Sequence, residues 1–145
     1  MSTNRSWVEL HVPNFEVVKE FYGKLGFQVA WEDQRAGSDG YLVMQYDELA
    51  ICFWPGNQNV HSQPYFRSFP PETRRGYGVE IIFTVRDLDA LYRRAQELDS
   101  VVEELKMKPW GLRDFRLADP YGYYLRFNEP HDPLLPAPLS VIKGK

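Results

Sequence analysis

The residues most able to do chemistry lie far apart in this sequence. The three histidines, His11, His61 and His131, have no Asp, Glu or Cys at a spacing typical of a catalytic triad or a metal motif. The one cysteine, Cys52, has no adjacent basic residue that would favour its thiolate. We therefore expect His11 to be a hydrogen-bonded pocket residue, with general acid or base chemistry as the alternative, and Cys52 to be a small wall residue.

A charged and aromatic strand face near the end of the chain is a stronger functional signal. The stretch PWGLRDFRLADPYGYYLRF, residues 109–127, is typical of two strands joined by a tight turn over the sequence DPYG at 119–122. Alternation places the apolar residues on one face: Phe115, Leu117, Leu125 and Phe127. It places polar and aromatic residues on the other face: Asp114, Arg116, Tyr124 and Arg126. This second face is either wet surface or the wall of a ligand site.

Composition and charge restrict the class of protein. The net charge is −3 with both signs interspersed, so the sequence lacks the basic stripe of a nucleic-acid-binding protein. No segment approaches the ~20 apolar residues of a membrane span, and the first residues have no apolar run typical of a signal peptide. A lone cysteine cannot form an internal disulfide, which fits a reducing compartment. We expect a cytoplasmic protein that binds neither nucleic acid nor a membrane.

Two similar halves organise the chain. Sliding the second half onto the first pairs Val12 with Val85, at the end of an alternating strand in each half. Each strand continues into a helix with apolar residues at three- and four-residue spacing. Asn14 and Asp87 stand where helix N-caps belong, and Gly26 stands where the first helix should end.

Three more strands follow in each half, at 27–32, 41–46 and 49–54 and at 101–108, 112–118 and 123–128. The predicted fold class is therefore α+β, with two tandem βαβββ modules forming a curved, half-open mixed sheet with a concave groove. We expect a single domain over residues 1–129, made of modules at about 5–56 and 77–129 joined by a connector at 57–76. The connector is either a mobile linker or a lid. Residues 130–145 are predicted to be a Pro-rich C-terminal tail.

The sheet face opposite each helix is expected to line the groove. Alternation points the following residues into it: Trp7, Glu9, His11, Cys52, Trp54, Glu80, Ile82, Thr84, Asp114, Arg116, Tyr124 and Arg126. Concave surfaces lined by aromatic side chains with a few polar groups are the usual binding sites for small molecules. The sequence therefore favours a small-molecule site over a macromolecular one.

The duplicated pattern resembles the vicinal oxygen chelate superfamily, which includes glyoxalase I, extradiol dioxygenases, and fosfomycin- and bleomycin-resistance proteins. Two motifs carry the resemblance: the FY-x-x-LGF stretch at residues 21–27 and the late DP-x-G turn at residues 119–122. Their order, spacing and duplication together are more specific than either motif alone. The resemblance extends over about residues 7–129 and implies the glyoxalase/bleomycin-resistance fold.

The resemblance also implies where a metal would be bound. Metal-dependent members present His, Gln or Glu on the first and last strands of each half, and the matching positions here are Trp7, Cys52, Glu80 and Arg126. Since Trp and Arg are not metal ligands, we expect neither a metal nor another cofactor. Glu80 and Arg126 are expected to form a salt bridge instead, either where the metal would lie or simply as partners that hold two sheets together.

Within the superfamily, the chain is most similar to the metal-free bleomycin-resistance type, whose late segment reads PWG, a strand, DP-x-G and an aromatic-rich strand. This implies a homodimer that sequesters a flat aromatic ligand between rings, with Trp31 and Trp110 at positions associated with that contact. Trp110 is alternatively a ring that pins a loop to the sheet edge. Arg116 and Arg126 would disfavour a polycation unless both are paired with carboxylates, so the ligand is either bleomycin-like or another aromatic compound, neutral or anionic.

Three functions remain open, and we favour the first, a metal-free protein that sequesters an aromatic antibiotic or metabolite. The ligand-binding residues predicted for it are Trp7, His11, Trp31, Cys52, Trp54, Glu80, Trp110, Arg116, Tyr124 and Arg126. The second is a divergent glyoxalase-like lyase or isomerase, or a dioxygenase-type enzyme, that uses His11, Glu80 or Cys52. The third is a dimeric scaffold whose groove is filled by a partner chain or by its own tail, through Leu134, Leu135, Val141 and Ile142.

Overall fold

The protein forms two compact units, Met1–Thr73 and Arg74–Lys145. The structure, a computed structural model, describes residues 3–33, 40–55 and 64–136. Each unit contains one βαβββ module, so the predicted α+β class with two such modules is confirmed. In the first module the elements are β1 (Glu9–Val12), α1 (Phe15–Leu25), β2 (Gln28–Asp33), β3 (Tyr41–Tyr46) and β4 (Leu49–Pro55). In the second they are β5 (Glu80–Thr84), α2 (Leu88–Gln96), β6 (Val101–Met107), β7 (Arg113–Ala118) and β8 (Tyr124–Asn128).

The two four-stranded sheets share one topology. The strand order is β1-β4-β3-β2 in the first sheet and β5-β8-β7-β6 in the second. In each sheet the first strand of the module runs parallel to the last, and the remaining neighbours are antiparallel. The helix and the two middle strands of each module together form the long connection that a parallel strand pair requires. As a consequence, the first and last strands of each module present their side chains side by side.

Both helices begin, and α1 ends, where the sequence predicts. The Asn14 side chain accepts hydrogen bonds from the N–H groups of Glu16, at 2.7 Å, and Val17, at 3.4 Å. The Asp87 side chain accepts one from the N–H of Ala90 at 3.1 Å. Gly26 ends α1 at a φ of 111°, a conformation that glycine adopts without the steric cost of a Cβ atom.

Each helix packs on its own sheet through apolar residues at alternate strand positions. In the first module the buried strand residues include Leu10, Val12, Leu42, Met44, Ile51 and Phe53. In the second module they include Phe83, Phe115, Leu117, Leu125 and Phe127. Tyr92 of α2 contacts Phe115 with ring centroids 5.0 Å apart, which identifies this face as the one against the helix. Side chains at the intervening positions lie on the opposite face, which we call the far face of each sheet.

The predicted tight turn at the start of β8 is confirmed, and it explains why that strand begins one residue later than expected. The N–H of Gly122 donates to the carbonyl of Asp119 at 3.0 Å, which closes the turn. The Asp119 carboxylate accepts hydrogen bonds from the N–H groups of Tyr121, at 2.8 Å, and Tyr123, at 3.0 Å. The N–H of Tyr123 is therefore used within the turn, so the strand pairing begins at Tyr124.

The connector and the tail are described only in part. Residues 64–76 of the predicted connector contain one 3₁₀ turn, Phe66–Ser68. Its earlier residues and His61 lie outside the described residues, as do Val141 and Ile142 of the tail. Of the tail leucines, Leu134 is 90% exposed and Leu135 is 61% exposed. Among the described helices, neither α1 nor α2 has the length and apolar character needed to cross a membrane.

Candidate functional site

The far face of the first sheet carries a stacked aromatic pair. The indole of Trp31 lies nearly parallel to the ring of Tyr41, with centroids 5.3 Å apart and an interplanar angle of 17°. The hydroxyl of Tyr41 donates to the carboxylate of Glu9 at 2.7 Å. Burial, together with hydrogen bonds to Glu9 and Cys52, raises the pKa of Tyr41, so this phenol stays protonated at neutral pH. Because Tyr41 is fixed in this way, the Trp31 ring is held in place although it remains 52% exposed.

A second aromatic cluster on this sheet includes His11. Its imidazole lies 4.9 Å from the ring of Trp54 and 5.3 Å from the ring of Phe66, measured between centroids. Trp54 lies opposite His11 on the neighbouring parallel strand. This register agrees with the prediction that both side chains point to the same face of the sheet. Phe66 comes from the 3₁₀ turn of the connector, so the connector contacts the far face of this sheet. Sequence patterns gave no signal for that contact, because it joins a strand to an irregular segment.

The remaining candidates of the first module differ in exposure. Cys52 is a free, buried thiol that lies opposite Glu9 on β1 and Val43 on β3. Trp7 precedes β1 and is 66% exposed. Tyr41 was not among the predicted ligand-binding residues, although the alternation of β3 would have placed it on the far face beside Val43.

The far face of the second sheet carries a network of ion pairs centred on Glu80. Arg126 Nη1 lies 3.3 Å from Glu80 Oε1, which confirms the predicted salt bridge between these two residues. Arg116 Nε donates to Glu80 Oε2 at 3.1 Å, and Arg116 Nη1 donates to Glu103 at 3.2 Å. Both arginines that the sequence placed on this face are therefore paired with carboxylates.

A buried lysine extends this network along β6 and β7. Lys108 is 5% exposed, and its Nζ lies 2.7 Å from both Glu103 Oε1 and Asp114 Oδ1. Burial lowers the pKa of Lys108, but its hydrogen bonds to Asp114 and Glu103 outweigh burial and raise the pKa above its ordinary value. The hydrogen bond from Lys108 in turn lowers the pKa of Glu103. Sequence reasoning missed Lys108, because lysines are seldom buried unless they are paired.

Trp110 lies beside the cations of this network. Lys108 Nζ lies 5.5 Å from the centroid of the Trp110 ring, and Arg126 Cζ lies 6.0 Å from it. Both distances fall in the range of cation–π contacts. Tyr124, on the same far face, is partly buried, and burial raises the pKa of its phenol. The module that carries the ion pairs therefore also carries the aromatic side chains of Trp110 and Tyr124, beside Arg126.

The residues at the metal positions that the resemblance implies do not fit a metal ion. Two of the four, Trp7 and Arg126, have no ligating atom of the usual kind. The Glu80 carboxylate is held by two guanidinium groups, whose charge opposes a cation there. Within residues 3–33, 40–55 and 64–136, no group of three or more His, Cys, Asp or Glu side chains is arranged to hold a metal. This donor set therefore supports no metal-dependent step.

Comparison with known families agrees with the fold. The model of the Glyoxalase/Bleomycin resistance protein/Dioxygenase superfamily matches residues 5–127, so the chain belongs to this superfamily. An uncharacterized protein of Mycobacterium bovis is 29% identical over 115 residues, which cover 77% of this chain and 73% of the relative.

Solved structures with the same fold include both binding proteins and enzyme relatives. A bleomycin-binding protein in complex with bleomycin matches with a TM-score of 0.60 and 20% identity, over 89% of this chain and 100% of its own. A glyoxalase-related enzyme from Fulvimarina pelagi matches with a TM-score of 0.65 and 17% identity, over 89% of each chain. At such low identity these likenesses establish the fold and leave the activity to be argued from the site.

Proposed function

We propose that this protein binds an aromatic small molecule without a metal ion and sequesters it without converting it. The observation that carries the proposal is the stack of Trp31 on Tyr41, which holds the indole of Trp31 in place although this residue is 52% exposed. A large ring that is already ordered offers contact area to a planar ligand at little further cost in entropy. Bleomycin is the first ligand to test, because it is bound by a protein with the same fold.

The charges of the second sheet bear on the ligand's own charge. Its far face carries three carboxylates and three cations, paired with one another: Glu80, Glu103, Asp114, Lys108, Arg116 and Arg126. Paired arginines repel a cationic ligand less than free ones, and paired carboxylates attract it less. The ligand we propose is therefore held mainly through its rings. The free, buried thiol of Cys52 is consistent with a cytoplasmic location, and the resemblance implies a homodimer that completes the binding groove.

The alternative is a glyoxalase-like lyase or isomerase that uses Glu80 as its base. Two observations weigh against it. The Glu80 oxygens are engaged by guanidinium groups of Arg116 and Arg126, and the carboxylate would have to leave both to accept a proton from a substrate. The other residues at the metal positions that the resemblance implies, Trp7, Cys52 and Arg126, are not a donor set that would hold the metal ion such chemistry uses as its Lewis acid.

Calorimetric titration of EDTA-treated protein with metal-free bleomycin tests the proposal, with mass spectrometry of the recovered compound. We expect saturable binding at low micromolar concentration and an unchanged compound after incubation. The binding should weaken in Trp31→Ala and persist in Tyr77→Ala, a matched change at an aromatic residue that is 84% exposed outside the sheets. Chemical conversion of the compound would favour the enzyme, and light scattering with and without ligand would test the homodimer.

A further inference from the structure

The far face of the second sheet contains buried polar atoms that the ion pairs do not use. On β7 and β8, Asp114 lies opposite Asn128, and Arg116 lies opposite Arg126. These four residues form a two-by-two arrangement on one face, which we call the polar block. The Asp114 side chain is fully buried, and Asn128 is 5% exposed.

Three residues of the polar block are anchored at one end and leave one polar atom unused. Lys108 Nζ lies 2.7 Å from Asp114 Oδ1, and Arg126 Nη1 lies 3.3 Å from Glu80 Oε1. Asn128 Nδ2 donates to the backbone carbonyl of Glu129 at 2.9 Å. Because that carbonyl can only accept, the orientation of the Asn128 amide is fixed. Within the part of the chain that the structure describes, Asp114 Oδ2, Asn128 Oδ1 and Arg126 Nε have no hydrogen-bond partner, and Asp114 Oδ1 is engaged only through its ion pairs with Lys108 and Arg116.

These three atoms define a hydrogen-bonding pattern of two acceptors and one donor. The acceptors are Asp114 Oδ2 and Asn128 Oδ1, and the donor is Arg126 Nε. Buried polar atoms are nearly always paired in native proteins, so such a set calls for a complementary group. A primary carboxamide supplies that complement, since it has two N–H donors and one carbonyl acceptor in a single plane.

The charge around the polar block selects a neutral group. Three carboxylates and three cations surround these atoms and balance one another. A carboxylate on the ligand has no N–H for Asp114 or Asn128 and would face the Asp114 charge. An ammonium group has no acceptor for Arg126 Nε and gains no net attraction from charges that balance one another. A neutral amide avoids both penalties.

We propose that the polar block is a carboxamide subsite and that the ligand of this protein is an aromatic primary carboxamide. The inference rests on the proposed function, because the ligand it names is aromatic; the ring beside the polar block is that of Trp110, which is partly buried. Arg126 contacts both an aromatic ring and the polar block within one module. Its guanidinium carbon lies 6.0 Å from the centroid of the Trp110 ring, and its Nε is one of the three unpaired atoms of the polar block.

Three probes that share one ring system test the subsite: naphthamide, N,N-dimethylnaphthamide and naphthoate. Binding is followed by NMR on ¹⁵N-labelled protein, through the Arg126 Nε–H and Asn128 amide signals. We expect naphthamide to bind about tenfold more tightly than the other two, since each of them loses paired hydrogen bonds at buried atoms. Both side-chain signals should shift most with naphthamide.

Two variants separate recognition from folding. Asn128→Leu removes one acceptor and should reduce the preference for naphthamide over its dimethyl derivative to less than about threefold. Gln96→Leu makes the same chemical change on the exposed surface of α2 and should keep the full preference. Should Asn128→Leu fail to fold, Arg126→Lys keeps a cation beside Glu80, removes Nε and should weaken naphthamide binding by about fivefold.

The outcomes distinguish this inference from the proposed function. Equal binding of all three probes would overturn the carboxamide subsite and leave ring binding standing. Tightest binding of naphthoate would overturn it in favour of an anion subsite. Failure of every probe to bind up to its solubility limit would overturn the carboxamide subsite, whereas the proposed function is decided separately by the titration with bleomycin. A water that remains between Asp114 and Asn128 in a crystal structure with bound naphthamide would also overturn the subsite.

Discussion

Glu80 and Arg126 form an ion pair on neighbouring parallel strands, with 3.3 Å between Glu80 Oε1 and Arg126 Nη1. Both residues stand at positions where metal-dependent relatives are expected to present ligands. Arg116 contacts the other oxygen of the same carboxylate at 3.1 Å, so the site holds two guanidinium groups around one acid. The Glu80 carboxylate is therefore neutralised by two arginines, at a position where metal-dependent relatives are expected to present a metal ligand.

The first prediction concerns divalent metals. Dialysis against Mn²⁺, Ni²⁺ or Zn²⁺ should leave less than stoichiometric metal bound and no rise in melting temperature, because the guanidinium groups beside Glu80 repel a cation. Elemental analysis and thermal unfolding check this. One equivalent of tightly bound metal, lost in Glu80→Gln and kept in Glu104→Gln, would contradict the account of this site.

The second prediction concerns the buried pair Lys108 and Asp114, which are 5% and 0% exposed. Lys108→Met should destabilise the protein by about 3 kcal/mol, because it leaves a buried carboxylate with weaker compensation. The double variant, Lys108→Met with Asp114→Leu, should lose less unfolding free energy than the sum of the two single variants, by at least about 2 kcal/mol. Urea unfolding of the four proteins measures this coupling, and strictly additive losses would contradict it.

The third prediction concerns stability in acid. The hydrogen bond from Lys108 lowers the pKa of Glu103 below its ordinary value of 4.5. A carboxyl group whose pKa is lower in the folded state stabilises the protein above its unfolded pKa, and this contribution is lost as the pH falls through the folded value. Because the Glu103 side chain is 41% exposed, we expect a contribution below about 1 kcal/mol. Urea unfolding at a series of pH values should show a smaller acid loss for Glu103→Gln than for the natural protein; identical losses would contradict this.

The fourth prediction concerns the approach to β5. A Cβ atom on Gly76, at a φ of +71°, would lie 2.9 Å from Tyr123 Cδ1, whereas one on Gly78, at +82°, would meet nothing within 4 Å. Gly78→Ala should cost about 1 kcal/mol from backbone strain alone, and Gly76→Ala should cost more than about 2 kcal/mol, since it adds a steric clash. Thermal unfolding compares them. Equal losses would show that Tyr123 moves aside freely.

Features governed by local chemistry could be predicted from the sequence. The N-caps at Asn14 and Asp87 and the turn closed by Gly122 depend on residues only a few positions apart. Strand alternation also placed Glu80 and Arg126 on the groove side of their strands. Their pairing was implied by the family resemblance, which assigned both residues to metal-ligand positions.

Contacts between distant segments could not be predicted in the same way. The burial of Lys108 depends on Asp114 and Glu103 converging on it from the two strands that flank the β6–β7 turn. The contact of Phe66 with His11 depends on the path of an irregular connector, for which no periodic pattern exists. Whether Trp110 stacks on a ligand or pins a loop remains a prediction, since its observed neighbours are the cations of Lys108 and Arg126.

The most direct measurement of the central claim is a fluorescence titration with Trp31 as the single reporter. Phenylalanine replaces the other three tryptophans, Trp7, Trp54 and Trp110, and the EDTA-treated protein is titrated with metal-free bleomycin and with naphthamide. We predict saturable quenching of Trp31 by at least one of them, weakened when Tyr41→Ala removes the ring beneath the indole. A strictly linear response to both compounds, with no saturation, would contradict the claim that this protein binds aromatic ligands at the Trp31–Tyr41 stack.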